Sequence, residues 1–269
     1  MISKYRHKEL TWIDLESPSE EEILHVLEQY SIPLSIEEEI RLKTEESKTK
    51  LNSGFIFTSL YFPQILNSED KVINNKIIFI INTNFILTIH NQKVDAFSEF
   101  IKNLEIDTTL PEQLQIKHTD LFSFYLIKSL YVNLKEQLSI NESKINEIEN
   151  KISKSYNKNI PELIFNANKI LIQVEQIIGS HDKILNTMSK FLIQIFGEKF
   201  ENYSFVIIEE YTETKLVLES QNKSLTNLYN FNNLKTTNRN CKKLKLLTFL
   251  SISTFIIIIL IFIYVFNRI

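Results

Sequence analysis

Three glycines and five prolines in 269 residues leave this chain almost without backbone breakers. Gly and Pro punctuate turns and loops, so their scarcity argues against loop-rich β architecture and predicts long uninterrupted helices. It also excludes a Gly-rich phosphate-binding loop. The one cysteine, Cys241, has no second cysteine in the chain to pair with, which fits a reducing compartment for the soluble part. His7, His25, His90, His118 and His181 are scattered and none lies at metal-ligand spacing from another. With no nucleophile set beside a base, neither catalysis nor an organic cofactor is expected.

A second absence is one of charge. No acidic residue follows Glu219, while seven basic ones do: Lys223, Lys235, Arg239, Lys242, Lys243, Lys245 and Arg268. Residues 1–219 carry 23 basic against 33 acidic residues, a net −10. Such a body repels phosphate backbones, so nucleic-acid binding is not expected. Between Lys245 and Arg268 there is no charge at all: Leu246 to Asn267 is LLTFLSISTFIIIILIFIYVFN. Its 22 residues match the ~20 that a helix needs to cross a bilayer core. The opening MISKYRHKEL is charged and does not read as a signal peptide. Five basic residues cluster between Lys235 and Lys245, against Arg268 beyond the span, so the expectation is a single-pass protein with a cytoplasmic N-terminus.

The first third alternates short elements. Glu9–Leu15 reads as a strand, and Ser17, Pro18 and Glu20–Glu22 start a helix running to about Tyr30. A short helix follows Pro33. Gly54–Phe62, Ile77–Ile81 and Phe85–Ile89 read as strands by β-branched and aromatic content, the last two joined by a turn at Asn82-Thr83-Asn84. Val94–Leu104 returns to helix. From Asp120 the chain reads as helix throughout: to about Ser155, then Glu162–Phe196, then from Glu201 into the apolar run, ~100 Å of continuous helix. The expected domains are 1–115 (α/β), 116–245 (long helices) and 246–267 (span). On the last helix, Asn230, Leu234, Thr237, Cys241, Leu244, Thr248, Ser251, Phe255, Ile258 and Phe262 recur at period 3.5, a stripe suited to self-association. Glu209, Glu210 and Glu213 supply oxygen-only donors that a hard cation such as Mg2+ could use between subunits.

The order of these parts resembles the CorA family of magnesium and divalent-cation transporters. TWIDLESPSEEEI (Thr11–Ile23) is similar to the family's opening strand and helix. KLNSGFIFTSLYFP (Lys50–Pro63) and NFILTIHNQKVDAF (Asn84–Phe97) resemble its next strands, including a Leu-Thr-x-His turn into a helix. SKINEIENKIS (Ser143–Ser153) resembles a segment of its long helix, and TNRNCKKLKLLTFLSISTF (Thr237–Phe255) the neck of its pore helix. The resemblance implies an α+β membrane protein: a cytoplasmic α/β/α domain with a mixed sheet, long helices forming a funnel, and a stalk helix that continues into a C-terminal transmembrane helix. It also implies a homopentamer around one pore in the plasma (inner) membrane, with Mg2+ as substrate and possible regulator.

Aligned on Leu247-Thr248, the family's Tyr-Gly-Met-Asn falls on Tyr264-Val265-Phe266-Asn267. Asn267, with Tyr264, is then the candidate for the ion-selective ring, and Leu244 and Leu247 for a hydrophobic gate. The remaining stripe residues, Asn230, Cys241, Thr248, Ser251, Phe255 and Ile258, become pore-lining candidates. The departures are specific. Val265 replaces a Gly, and β-branched Val prolongs helix or extended chain. Ile256, Ile258 and Phe255 stand for the usual pore Pro, Thr and Met, and one span is seen where the family has two. Three functions remain open: divalent-cation transport through a pore gated by cytoplasmic cation binding, a non-conducting CorA-like sensor or scaffold anchored by one span, and a tail-anchored coiled-coil protein unrelated to transport.

Overall fold

The computed structural model describes residues 1–7, 10–42, 46–66, 69–106, 119–154 and 159–266. Six strands form one mixed sheet in the order β1-β2-β6-β5-β4-β3. They are β1 (Ile2–His7), β2 (Leu10–Glu16), β3 (Lys48–Asn52), β4 (Phe55–Leu66), β5 (Lys71–Ile81) and β6 (Phe85–His90). Only β2 and β6 run parallel; every other pairing is antiparallel. Side chains alternate across the central strands because the strand period is two. Ile13, Leu15, Ile78, Ile80, Phe85, Leu87 and Ile89 pack on one face against α1 (Glu20–Gln29) and α2 (Leu34–Arg41). Trp12, Ile77, Phe79, Ile81 and Ile86 pack on the other, where α3 (Asp95–Ile106) and α4 (Thr119–Lys154) lie. Both faces are covered, giving three layers.

Local chemistry sets the joints. Ser19 caps α1 in a capping box with Glu22, two residues later than the Ser17-Pro18 start expected from sequence. Ser17 instead ties the ends of β2 and β6 together: its N–H donates to His90 O at 2.8 Å and its hydroxyl to Asn91 O at 2.6 Å. Asn82 Oδ1 accepts from the N–H groups of Asn84 and Phe85, both at 2.8 Å, and so closes the expected turn before β6. Ser53 and Gly54 both take positive φ, +49° and +79°, in the two-residue turn between β3 and β4. Pro63 sits in β4 beyond the reach of β3, where the missing N–H leaves no bond unmade.

The helical part is built on a repeat of 3.5. Buried positions on α4 fall at 127, 131, 134, 138, 141, 145, 148 and 152, and on α7 (Glu201–Phe266) at 204, 207, 211, 214, 218, 221, 225, 228 and 232. Alternating steps of three and four keep one seam in contact along both helices and wind them left-handedly. Contacts climb together, Lys135 with Glu213, Asn141 with Gln221, Lys235 with Ser153, so α4 and α7 run parallel. The chain between them, α5 (Ile160–Ile178) and α6 (His181–Phe196), packs against both.

The sequence leads one to expect a single helix over Glu162–Phe196; the structure divides it at Gly179-Ser180. Both residues keep helical dihedrals, but the first bond of α6, Ile184 N–H to Ser180 O, is stretched to 3.5 Å. The buried rhythm 160, 164, 167, 171, 174, 178, 181, 185, 188, 192 runs through the break without losing phase, so periodicity alone cannot register it. Gly197, at φ +89°, then ends α6 before a short 3-10 turn and α7, a backbone state that L side chains rarely take. The two edge strands β1 and β3 are not foreseen either. Their charged sequences, ISKYRH and KTKLN, are what a sheet edge carries.

A polar latch interrupts the apolar seam. Asn141 Nδ2 donates to Gln221 Oε1 at 3.0 Å, and Gln221 Nε2 donates to Leu138 O at 2.9 Å, with both side chains buried. Gln221→Ala should destabilise the full chain by about 1–3 kcal/mol, because it leaves the buried Asn141 Nδ2 without its acceptor and opens a cavity in the seam. Joint Asn141→Leu/Gln221→Leu replacement should recover most of that loss, since a matched apolar pair has nothing left to satisfy. Thermal melting of the three proteins in detergent checks this, and strictly additive losses would contradict the latch.

Candidate ion pathway and its acidic stalk

The stripe singled out on α7 is on the opposite side from the seam. Asn230, Leu234, Thr237, Cys241, Leu244 and Thr248 sit two residues out of register with Leu228, Asn232 and their successors, about 200° around a helix of 3.6 residues per turn. Every described side chain of the stripe from Asn230 to Ile258 is exposed. Leu244, Leu247, Phe255 and Ile258 each leave 61–64% of their surface open. Tyr264 lies within α7, and Asn267 lies outside the described residues.

Beyond Lys235, whose Nζ still reaches the last turn of α4, the side chains of α7 are almost all exposed. Among the described residues it is the one helix long and apolar enough to cross a membrane, and its apolar window has none of its residues buried within the chain. Three hydroxyls of the apolar run bond back to the helix itself. Thr248 donates to Leu244 O at 2.9 Å, Ser253 to Leu250 O at 2.8 Å and Thr254 to Ser251 O at 2.8 Å. Such internal bonding is what hydrocarbon demands of a polar group.

Lower on α7 the three acidic candidates part company. Lys135 Nζ bridges Glu210 and Glu213, 2.6 Å from the latter, and Lys128 Nζ lies 3.1 Å from Glu210. Burial by itself raises the Glu210 carboxyl, but the hydrogen bonds from Lys135 and Lys128 outweigh it and hold its pKa below the usual carboxylate value. Glu209 is exposed. Within one chain, then, two of the three carboxylates already have lysine partners, and only Glu209 has its side chain turned to solvent. Among the described residues no group of three or more His, Cys, Asp or Glu is placed to hold a metal.

Two histidines that sequence reasoning assigned no role organise the head and its junction with the stalk. His181 Nδ1 accepts from the Tyr131 hydroxyl at 2.8 Å and its Nε2–H donates to Tyr61 O at 2.9 Å, joining α6, α4 and β4. Tyr211 of α7 packs beside both rings. Full burial pushes the imidazole down to about 4, so it is neutral at physiological pH. The only trace in the sequence is that 181 falls on the heptad rhythm of α5 and α6. His90 behaves oppositely. Its Nε2 lies 3.0 Å from Asp14 Oδ1 and its Nδ1 2.6 Å from Gln92 O, so both nitrogens face acceptors and the protonated ring alone can donate to both. Burial pulls this pKa down, but the hydrogen bond and charge of Asp14 more than offset that and the net shift is upward. Thr88 donates to the same carboxylate and accepts from Trp12 Nε1 at 2.9 Å, completing a buried polar link between the parallel strands.

Head, parallel helix pair and apolar extension together define a class: an α/β domain carried on a stalk helix that runs on into a bilayer-length apolar segment. The sequence matches the family described as CorA-like Mg2+ transporter protein over residues 7–258, and the chain belongs to that family. It is 23% identical over 196 residues to the cobalt/magnesium transport protein CorA of Methanocaldococcus jannaschii, a match covering 72% of this chain and 60% of that protein's length. Among solved structures, the complete CorA magnesium transporter from M. jannaschii superposes with a TM-score of 0.75 at 17% identity, over 91% of this chain and 75% of that one. The full-length CmaX protein follows with a TM-score of 0.73 at 11% identity, over 88% and 71% of the two chains. The ZntB cytoplasmic domain from Vibrio parahaemolyticus gives 0.65 at 15%, over 86% and 90%. These likenesses show the fold.

The two histidines predict pH effects of opposite sign. The folded pKa of His181 lies below its unfolded value near 6.5, so its stabilisation is complete above that value and is lost as pH falls from about 6.5 to about 4. The full span of that loss is about 3 kcal/mol. His90, raised, stabilises below its unfolded value and stops doing so as pH climbs through its folded one. His181→Gln should be less stable than the native chain at pH 7 and should lose less on going to pH 5. Melting curves that fall in parallel would contradict the buried neutral imidazole.

Proposed function

We propose that this chain is a subunit of a divalent-cation conduit, with Mg2+ as the principal ion and a homopentamer as the working assembly. The carrying observation is that α7 is one continuous helix whose lower half is packed by a heptad seam and whose upper, apolar half is unburied on every side. A bare apolar helix of this length belongs in lipid, with its N-terminal head in the cytoplasm by the distribution of Lys and Arg. The stripe opposite the seam then faces the assembly axis. Leu244 and Leu247 form a constriction that opens by wetting, and Asn267, with Tyr264 nearby, forms the polar ring at the far end. Amide oxygens suit Mg2+, which dehydrates reluctantly and is best held with its waters. The reaction is transport, without chemistry on a substrate. A gating cation shared between heads must displace Lys135 from Glu210 and Glu213 or use Glu209 instead.

A second reading is favoured by one observation: Phe255 and Ile258 present bulky apolar surface on the stripe. In a five-fold ring these two residues make a dry plug, and the assembly is then a cation-responsive scaffold that does not conduct.

Mg2+ entry into liposomes holding the purified full chain separates the two. The conduit reading expects flux that vanishes in Asn267→Ala, and a plugged pore expects flux to appear only when Phe255→Ala and Ile258→Ala open the axis. Pentameric protein that carries no Mg2+ in any of these forms rules out conduction. Millimolar Mg2+ should also slow proteolysis of the head, and equal cleavage with and without Mg2+ would remove the cation-gating element.

A further inference from the structure

Above Asn232 the seam of α7 continues its three-four rhythm with different chemistry. The next positions are 235, 239 and 242, occupied by Lys235, Arg239 and Lys242, with Lys245 one turn on and Lys243 beside them. The face that packs on α4 lower down turns basic at the point where α4 ends. Lys235 marks the transition: its Nζ donates to Ile152 O and, at 3.5 Å, to Ser153 O, closing the C-terminal end of α4. That contact fixes the azimuth of the stripe on the α4 side, about 200° from Thr237, Cys241 and Leu244. Arg239, Lys242, Lys243 and Lys245 are exposed, as are Lys151 and Lys154 in the last turn of α4. No acidic residue follows Glu219 in the sequence. Leu246, the first residue of the apolar run, stands eleven residues or about 16 Å beyond Lys235.

We infer that this outward basic collar binds the anionic lipid headgroups of the leaflet that α7 enters. The occupant is a phosphodiester headgroup on a membrane lipid, because the stripe abuts the apolar run and faces away from the assembly axis. Each basic side chain near an anionic bilayer surface strengthens attachment about fivefold. The inference rests on the membrane reading of α7 and adds lipid selectivity to it.

The test uses the full chain purified in detergent with equal amounts of phosphatidylglycerol and phosphatidylcholine, with retained lipids counted per chain by native mass spectrometry. Phosphatidylglycerol should be retained in severalfold excess, and the excess should collapse at high salt. Lys242→Gln/Lys245→Gln should reduce it about fivefold or more, while the charge-matched Lys183→Gln/Lys223→Gln should keep it. A native chain without preference, or a neck variant as selective as the native one, overturns the collar while leaving the span intact. A chain that stays dispersed without detergent and retains neither lipid overturns the membrane reading and the collar together.

Discussion

A helix of 66 residues takes most of its stability from what packs against it rather than from propensity, and most of this structure is an answer to that constraint. The answer is the seam between α4 and α7. Both helices repeat every 3.5 residues, run parallel and stay in register over nine buried positions of α7. The same rhythm recruits α5 and α6, so four helices share one core. The head is held to that core by Tyr131 and His181, which reach from the helices to the backbone of β4. Sheet, bundle and stalk therefore meet at one buried group of aromatic and imidazole rings.

What could be read in the sequence follows from where periodicity is strong. The central strands β4 to β6 and the helices α4 and α7 are dense in β-branched or heptad-spaced residues and are visible to within a few positions. The edge strands β1 and β3 are hidden, because an edge is half solvent-facing and its Lys, Arg and Ser residues look like loop. The division of α5 from α6 is hidden for the reverse reason: the pattern carries on while the hydrogen bonding shifts. Of the candidate site, the stripe from Asn230 to Ile258 was legible because it obeys the same period. The fate of Glu210 was not, because Lys135 lies 75 residues away and only the fold brings it near. Asn267 lies outside the described residues.

Charge is distributed as deliberately as hydrophobicity. The acidic excess is confined to the head and lower stalk, where Lys128 and Lys135 of α4 pair with Glu210 and Glu213. The basic cluster of α7 begins at Lys235, where the seam runs out of neighbours, and the uncharged run begins after Lys245. Each stretch of this one helix thus carries the side chains that its surroundings reward: apolar against α4, basic in the neck, apolar again beyond Leu246.

The latch of Asn141 and Gln221 constrains how such a rod can move. It acts as an indexing tooth in an otherwise smooth rack. Sliding α7 along α4 by a turn would pull the tooth from its socket and strand two buried amides, and the next equivalent position lies a whole heptad, about 10 Å, away. Axial stroke is therefore locked. Tilt and twist about the seam leave the tooth engaged, so the head and the apolar segment are coupled through torsion and lean rather than through a piston.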